Sequence, residues 1–125
     1  MIVSLVGSIV LVLIIVLYLL LVLGLPYGEY AMGGSDKIPS RKIRIMSVFA
    51  ILIQFIGMLC LLQGGDIINV GFPDKILKIV CYIYAIYLSL NVFMNIASRS
   101  KKERIIMTPL SAIIAICFWI TAISL

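Results

Sequence analysis

Long apolar runs separated by short polar segments dominate this sequence. The runs cover residues 2–25, 43–63, 76–96 and 106–125. An α-helix rises about 1.5 Å per residue, so about 20 apolar residues cross the roughly 30 Å hydrocarbon core of a bilayer. The pattern therefore predicts an all-α polytopic membrane protein, a four-transmembrane-helix bundle built from two helical hairpins. The connections are short, and residues 1–125 are predicted to form a single transmembrane domain.

Composition supports this interpretation. Of the 125 residues, 64% are hydrophobic and only 12% are charged, and the mean hydropathy is +1.28. Soluble domains are about half apolar and about a quarter charged. A chain of this length cannot bury such an excess away from water. A soluble enzyme, a nucleic-acid-binding domain and a disulfide-rich secreted module are therefore excluded.

The basic residues are distributed unevenly among the connections. Those of the first and third connections are Lys37, Arg41, Lys42, Arg44, Arg99, Lys101, Lys102 and Arg104, whereas the second connection has only Lys75 and Lys78 nearby. Basic residues of short loops stay in the cytoplasm. We therefore predict a multi-pass protein of the cell membrane with loops 1 and 3 in the cytoplasm and both termini outside.

The sequence lacks the residues that most catalytic sites use. It contains no histidine, and its three cysteines, Cys60, Cys81 and Cys117, stand singly within apolar runs. They show neither a metal-ligand spacing nor a C-x-x-C motif, and glycine-rich residues 33–37 do not have P-loop spacing. We predict no enzymatic activity, no metal and no cofactor.

The third apolar run has a polar stripe. At about 100° per residue, five of its polar side chains fall within roughly 80° of one helix face. They are Tyr84, Tyr87, Asn91, Asn95 and Ser98. Amides and hydroxyls at membrane depth form hydrogen bonds between helices, so we expect the stripe to face the bundle interior. It has two interpretations, hydrogen bonding between helices or the lining of a polar groove that opens toward the cytoplasm.

A second cluster of polar residues is predicted where the first and third runs end. Both runs reach the same membrane face, which brings Glu29 to the depth of Arg99 and Arg104. Arginine is the best partner for a carboxylate close to hydrocarbon. We predict a cytoplasmic polar patch formed by Glu29, Asn95, Ser98, Arg99, Glu103 and Arg104. The alternative is a solvated Glu29, with the arginines serving only to set orientation.

Smaller features concern packing. Ser4 and Ser8 flank Gly7, and Ser111 and Ala115 have the same spacing; such spacing lets helices approach closely. Trp119, near the C-terminus, is predicted to anchor the outer membrane interface.

Two segments resemble a known family. Residues 26–34 read P-Y-G-E-Y-A-M-G-G, and residues 95–109 read N-I-A-S-R-S-K-K-E-R-I-I-M-T-P. They are similar to the P-W-G-x-x-x-x-G-G and N-x-x-S-R-S-x-x-E-R-x-x-M-x-P segments of a family of small uncharacterised four-span proteins of the bacterial inner membrane. Tyr27 stands where the family has tryptophan. The resemblance implies the fold and a bacterial inner-membrane location, but no substrate and no reaction.

Three functions are compatible with these features. The favoured one is a non-enzymatic membrane component that binds another membrane protein, a second copy of itself or anionic lipid headgroups through its basic cytoplasmic face. The alternative is an oligomeric small-molecule transporter or channel, against which the lack of acidic residues at depth argues. A lipid-acting enzyme at the cytoplasmic interface is the third. The lipid bilayer is the expected partner in every case, and nucleic acid in none.

Overall fold

The computed structural model describes residues 2–26, 40–69, 71–98 and 101–125. These residues form four α-helices: α1 (Ile2–Val22), α2 (Arg41–Gly64), α3 (Asp74–Ile96) and α4 (Lys101–Ser124). The all-α four-helix fold is confirmed. Each helix is long and apolar enough to cross a membrane, and the chain fits a small multi-pass integral membrane protein.

The ends of the helices follow from local sequence. Gly24, with φ of +84°, ends α1: its N–H donates to the Leu21 carbonyl and that of Leu25 to the Leu20 carbonyl. This is the Schellman pattern, which requires a left-handed residue and favours glycine. Helix α2 begins at Arg41, directly after Ser40, whose hydroxyl accepts the N–H of Ile43 at 3.3 Å, as an N-cap serine does.

Helix α4 begins five residues before the apolar run that predicted it. The run was expected to start at residue 106, but the helix starts at Lys101. Lysine, glutamate and arginine are good helix formers, so the helix extends beyond the hydrocarbon-compatible part that the hydropathy pattern detects. As a result, Glu103 belongs to a helix and not to a connecting loop.

The helices pack as two antiparallel hairpins, α1 with α2 and α3 with α4. Helix α1 also packs against α4, and α2 makes a smaller contact with α3. The core that they share includes the fully buried side chains of Leu11, Leu61, Leu88, Ile114 and Phe118. Large apolar residues such as Ile2, Ile83 and Phe93 are exposed on the outside, where hydrocarbon is the compatible solvent.

Small residues bring these helices together. A Cβ atom added at Gly7 would lie 2.5 Å from Cδ2 of Leu61 and 3.0 Å from Cβ of Cys117, so α1 is in close contact with both α2 and α4 there. Ser4, Ser8, Ser111 and Ala115 are buried. The predicted small-residue faces therefore lie within the bundle.

Candidate functional site

A cluster of side-chain hydrogen bonds joins the end of α3 and the residues that follow it to α4. The Asn95 amide donates to the Ser111 hydroxyl at 2.7 Å and to the Met107 carbonyl oxygen at 3.4 Å. The Ser98 hydroxyl donates to Glu103 Oε2 at 2.6 Å. This short distance is typical of a hydroxyl bound to a carboxylate.

Glu103 is the most unusual member of the cluster. Only 5% of its surface is exposed, whereas its neighbours Lys102 and Arg104 are exposed. A buried carboxylate needs hydrogen-bond donors or cationic partners, and Ser98 supplies one donor. The sequence contained a signal for this position, since Glu103, Met107 and Ser111 are spaced four residues apart and therefore share one helix face.

A groove of about 560 Å³ lies beside this cluster, in the half of the bundle that contains the connections α1–α2 and α3–α4. All four helices contribute to it. Its lining residues are Tyr18, Met46, Phe49, Ala50, Ile53, Tyr87, Asn91, Met94, Asn95, Glu103 and Met107. We call it the inner groove.

The inner groove is amphipathic. The α2 side chains Met46, Phe49, Ala50 and Ile53 make one wall apolar, whereas the other side carries two amides, two phenols and one carboxylate. Phe49 on α2 and Met94 on α3 are 62% and 69% exposed. Because these two rim residues lie on neighbouring helices, the groove opens sideways between α2 and α3.

The groove ends near the middle of the bundle, where α2 and α3 come into close contact. The Tyr84 hydroxyl donates to the Ile53 carbonyl oxygen at 2.8 Å, and its ring stacks on Phe118 with centroids 5.2 Å apart. A Cβ atom at Gly57 would lie 2.8 Å from Cε1 of Tyr84. Glycine at this position therefore permits the close contact of α2 with α3 where the lining of the groove ends.

The predicted stripe and patch residues lie at several places in this arrangement. Tyr87, Asn91, Asn95 and Glu103 line the inner groove, Ser98 binds Glu103, and Tyr84 binds Ile53 at the end of the lining nearest the middle of the bundle. Arg104 is exposed. Glu29 and Arg99 lie outside the described residues, so their predicted pairing stays a prediction. The sequence did not identify the contributions of Tyr18 and the α2 wall, because spacing along α3 contains no information about which helix faces it.

Trp119 has its polar atom bound within the protein. Its indole N–H donates to the Ser89 hydroxyl at 2.9 Å, and its ring meets Tyr82 edge to face at 6.0 Å. Since headgroups are not needed to bind this N–H, the anchoring role at the outer interface stays a prediction.

The polar groups of this site are hydrogen-bond donors and acceptors. Among the described residues, no three His, Cys, Asp or Glu side chains are grouped as a metal site requires. Cys60, Cys81 and Cys117 are free and buried. The inner groove offers amide, hydroxyl and carboxylate groups for hydrogen bonds beside an apolar wall.

Comparisons with protein-family models, with curated proteins and with solved structures found no match for this chain. The family resemblance of residues 26–34 and 95–109 therefore stays a prediction.

Proposed function

We propose that the protein is a non-enzymatic membrane component that binds a lipid-like amphiphile in the inner groove. The observation that supports this proposal is the groove itself, an amphipathic space of about 560 Å³ that opens sideways between two membrane-spanning helices. Ligand pockets typically have volumes of this order, mostly apolar walls and a few polar groups that fix orientation.

The two sides of the groove suit the two parts of such a molecule. Its acyl chain would lie along Met46, Phe49 and Ala50, where methionine adapts to irregular apolar shapes. Its polar head would lie beside Asn91 and Asn95, and hydroxyl or ammonium donors on it would face the carboxylate of Glu103. By the positive-inside pattern, we propose that the head lies toward the cytoplasm.

Filling the groove tests the proposal. Ala50→Phe adds a ring at a position that lines the groove, whereas Leu52→Phe places the same ring two residues away, at a position that is 54% exposed and not part of the lining. Both variants would be purified in a mild detergent, and the amphiphiles that remain bound would be identified and quantified by native mass spectrometry.

The expected result is a bound amphiphile in the native protein and in Leu52→Phe, and its loss from Ala50→Phe. Thermal unfolding of both variants shows whether the fold is kept. Equal retention in the two folded variants, or no amphiphile bound to the native protein in a fixed ratio, would overturn the proposal.

A transporter is the second candidate function, and the position of the groove favours it. A site that lies in one half of the bundle only, and whose lining stops where the Tyr84 hydroxyl binds the Ile53 carbonyl, has the form that alternating access requires in one of its states. A cysteine at Ile53, in a background without native cysteines, distinguishes the two functions. Labelling by impermeant reagents from both sides supports transport, whereas labelling from the loop 1 and 3 side alone supports binding.

A further inference from the structure

A second groove lies at the same end of the bundle, between the end of α1 and the beginning of α2. Its volume is about 450 Å³, and it is lined by Val22, Arg41, Arg44, Ile45 and Val48. These residues lie on a different face of α2 from Met46, Phe49, Ala50 and Ile53, which line the inner groove. Among the described residues, none lines both grooves. We call this second one the arginine groove.

Arg44 is held in place by the end of α1. Its Nε–H donates to the Val22 carbonyl oxygen at 2.9 Å, and its guanidinium packs over Gly24, where an added Cβ would lie 3.8 Å from Cζ. This bond uses one of the five N–H donors of the guanidinium and restricts its orientation. Arginine in a fixed orientation is well suited to bind phosphate oxygens through two parallel hydrogen bonds.

The other lining residues complete an amphipathic surface. Arg41 lies three residues before Arg44 and is exposed, so the two cations are neighbours on one helix face. Ile45 and Val48, 49% and 44% exposed, extend the groove toward the apolar part of the helix. A pair of cations at the rim above an apolar floor complements a ligand with an anionic head and a hydrocarbon tail.

We propose that the arginine groove is a binding site for an anionic phospholipid. The phosphate lies between Arg41 and Arg44, and the first part of an acyl chain lies against Ile45 and Val48. Basic pockets between helices at the cytoplasmic side of membrane proteins recognise anionic headgroups in this way. Free phosphate would use the arginines alone and gain nothing from the apolar floor.

Capping of α1 by Arg44 does not by itself account for this groove. The Arg44–Val22 hydrogen bond satisfies one carbonyl of the α1 end, whereas Arg41, which takes no part in that bond, would contribute to the cap only through the general attraction of a cation to the negative end of the α1 dipole. Arg41 is therefore the residue that distinguishes a lipid site from a helix cap.

The test measures lipid binding to the purified full chain by native mass spectrometry, with phosphatidylglycerol and phosphatidylcholine titrated separately. Arg41→Gln removes one rim cation without touching the α1 cap. Lys101→Gln is the matched control, because Lys101 is also an exposed cation at the first residue of a helix at this end of the bundle but does not line the groove. Arg41→Gln combined with Arg44→Gln removes both cations.

We expect phosphatidylglycerol to bind more tightly than phosphatidylcholine, and Arg41→Gln to weaken it about fivefold, as one juxtamembrane cation should. The double variant should weaken it further, and Lys101→Gln should leave it nearly unchanged. Inorganic phosphate at the same concentration should not displace the lipid. The single variant keeps the test valid if the double variant does not fold.

Three results would overturn the proposal. Equal affinity for the two lipids would show that the anionic head is not recognised. Equal weakening of binding by Arg41→Gln and Lys101→Gln would show that the lipid is attracted only by the overall charge of the protein. Displacement by inorganic phosphate would show that the apolar floor contributes nothing. Each result leaves the amphiphile in the inner groove untouched, since the two sites are separate.

Discussion

The side-chain amide of Asn95 on α3 donates a hydrogen bond to the hydroxyl of Ser111 on α4 at 2.7 Å. Both residues are buried. The same amide reaches the Met107 carbonyl oxygen, and Asn95 and Met107 both line the inner groove. One polar group therefore joins two helices and shapes the site, so its structural and binding roles must be separated by experiment.

The Asn95–Ser111 bond should be measurable as an energetic coupling. Hydrogen bonds between membrane helices contribute about 0.6 kcal/mol on average and at most about 1.7 kcal/mol. In a double-mutant cycle of Asn95→Leu and Ser111→Ala, we expect a coupling within this range, measured from the free energy of unfolding in detergent. Asn91→Leu, one turn earlier on α3, is the control and should show no coupling to Ser111→Ala. Additive losses for Asn95 and Ser111 would contradict the hydrogen bond.

Gly57 and Tyr84 should show a size-dependent coupling. Because a Cβ atom at Gly57 would lie 2.8 Å from the Tyr84 ring, Gly57→Ala should lower the free energy of unfolding by about 1–3 kcal/mol, the usual cost of overpacking. In a Tyr84→Ala background the same substitution should be neutral or stabilising, since alanine favours helix over glycine by about 1 kcal/mol. Thermal unfolding of the four proteins measures this. A loss of the same size in both backgrounds would contradict the close contact.

Hydropathy was sufficient to predict the four helices, because each apolar run has the length of a membrane span. It was insufficient for the start of α4, since Lys101 and Glu103 are polar and helical at once. Hydropathy reports the solvent that a residue prefers, whereas helix formation follows backbone propensity and capping. The difference matters here because Glu103, which hydropathy assigns to a loop, belongs to α4 and lines the inner groove.

The site could be predicted only in part, for a similar reason. Helical spacing groups Tyr87, Asn91 and Asn95 on one face of α3, as the structure has them in the inner groove. No pattern within one helix indicates its neighbours, so the part played by Tyr18 and Phe49 could not be derived. Arg44 was interpreted as an orientation signal, and its bond to Val22 depends on how α1 ends.

The orientation of the bundle is a prediction from charge and can be tested with single cysteines. Cys60, Cys81 and Cys117 are buried and would first be replaced by alanine. We expect a cysteine at Asn69, in the connection between α2 and α3, to react with an impermeant reagent outside intact cells, and one at Ser35 to react only after lysis. The positive-inside rule gives this direction. The reverse pattern would place loops 1 and 3 outside.

Ser98 and Glu103 allow the structural and binding roles of the polar cluster to be separated. Ser98→Ala removes the donor at 2.6 Å from Glu103 Oε2, and a hydrogen bond to a charged group contributes about 1.5–3 kcal/mol. Ser98 does not line the inner groove, whereas Glu103 does. We therefore expect Ser98→Ala to lower the unfolding temperature while the bound amphiphile is retained.

Glu103→Gln should reduce amphiphile binding more than it reduces stability. The amide oxygen can still accept the Ser98 hydrogen bond, so the loss of stability should be smaller than that of Ser98→Ala. The charge in the groove is gone, however, and hydroxyl or ammonium donors on the head of the amphiphile lose a charge-assisted partner. Native mass spectrometry and thermal unfolding of the two variants measure both quantities. If retention of the amphiphile instead falls in proportion to stability in both, the Glu103 carboxylate serves to hold the segment after α3 against α4, and the polar end of the groove does not bind the head.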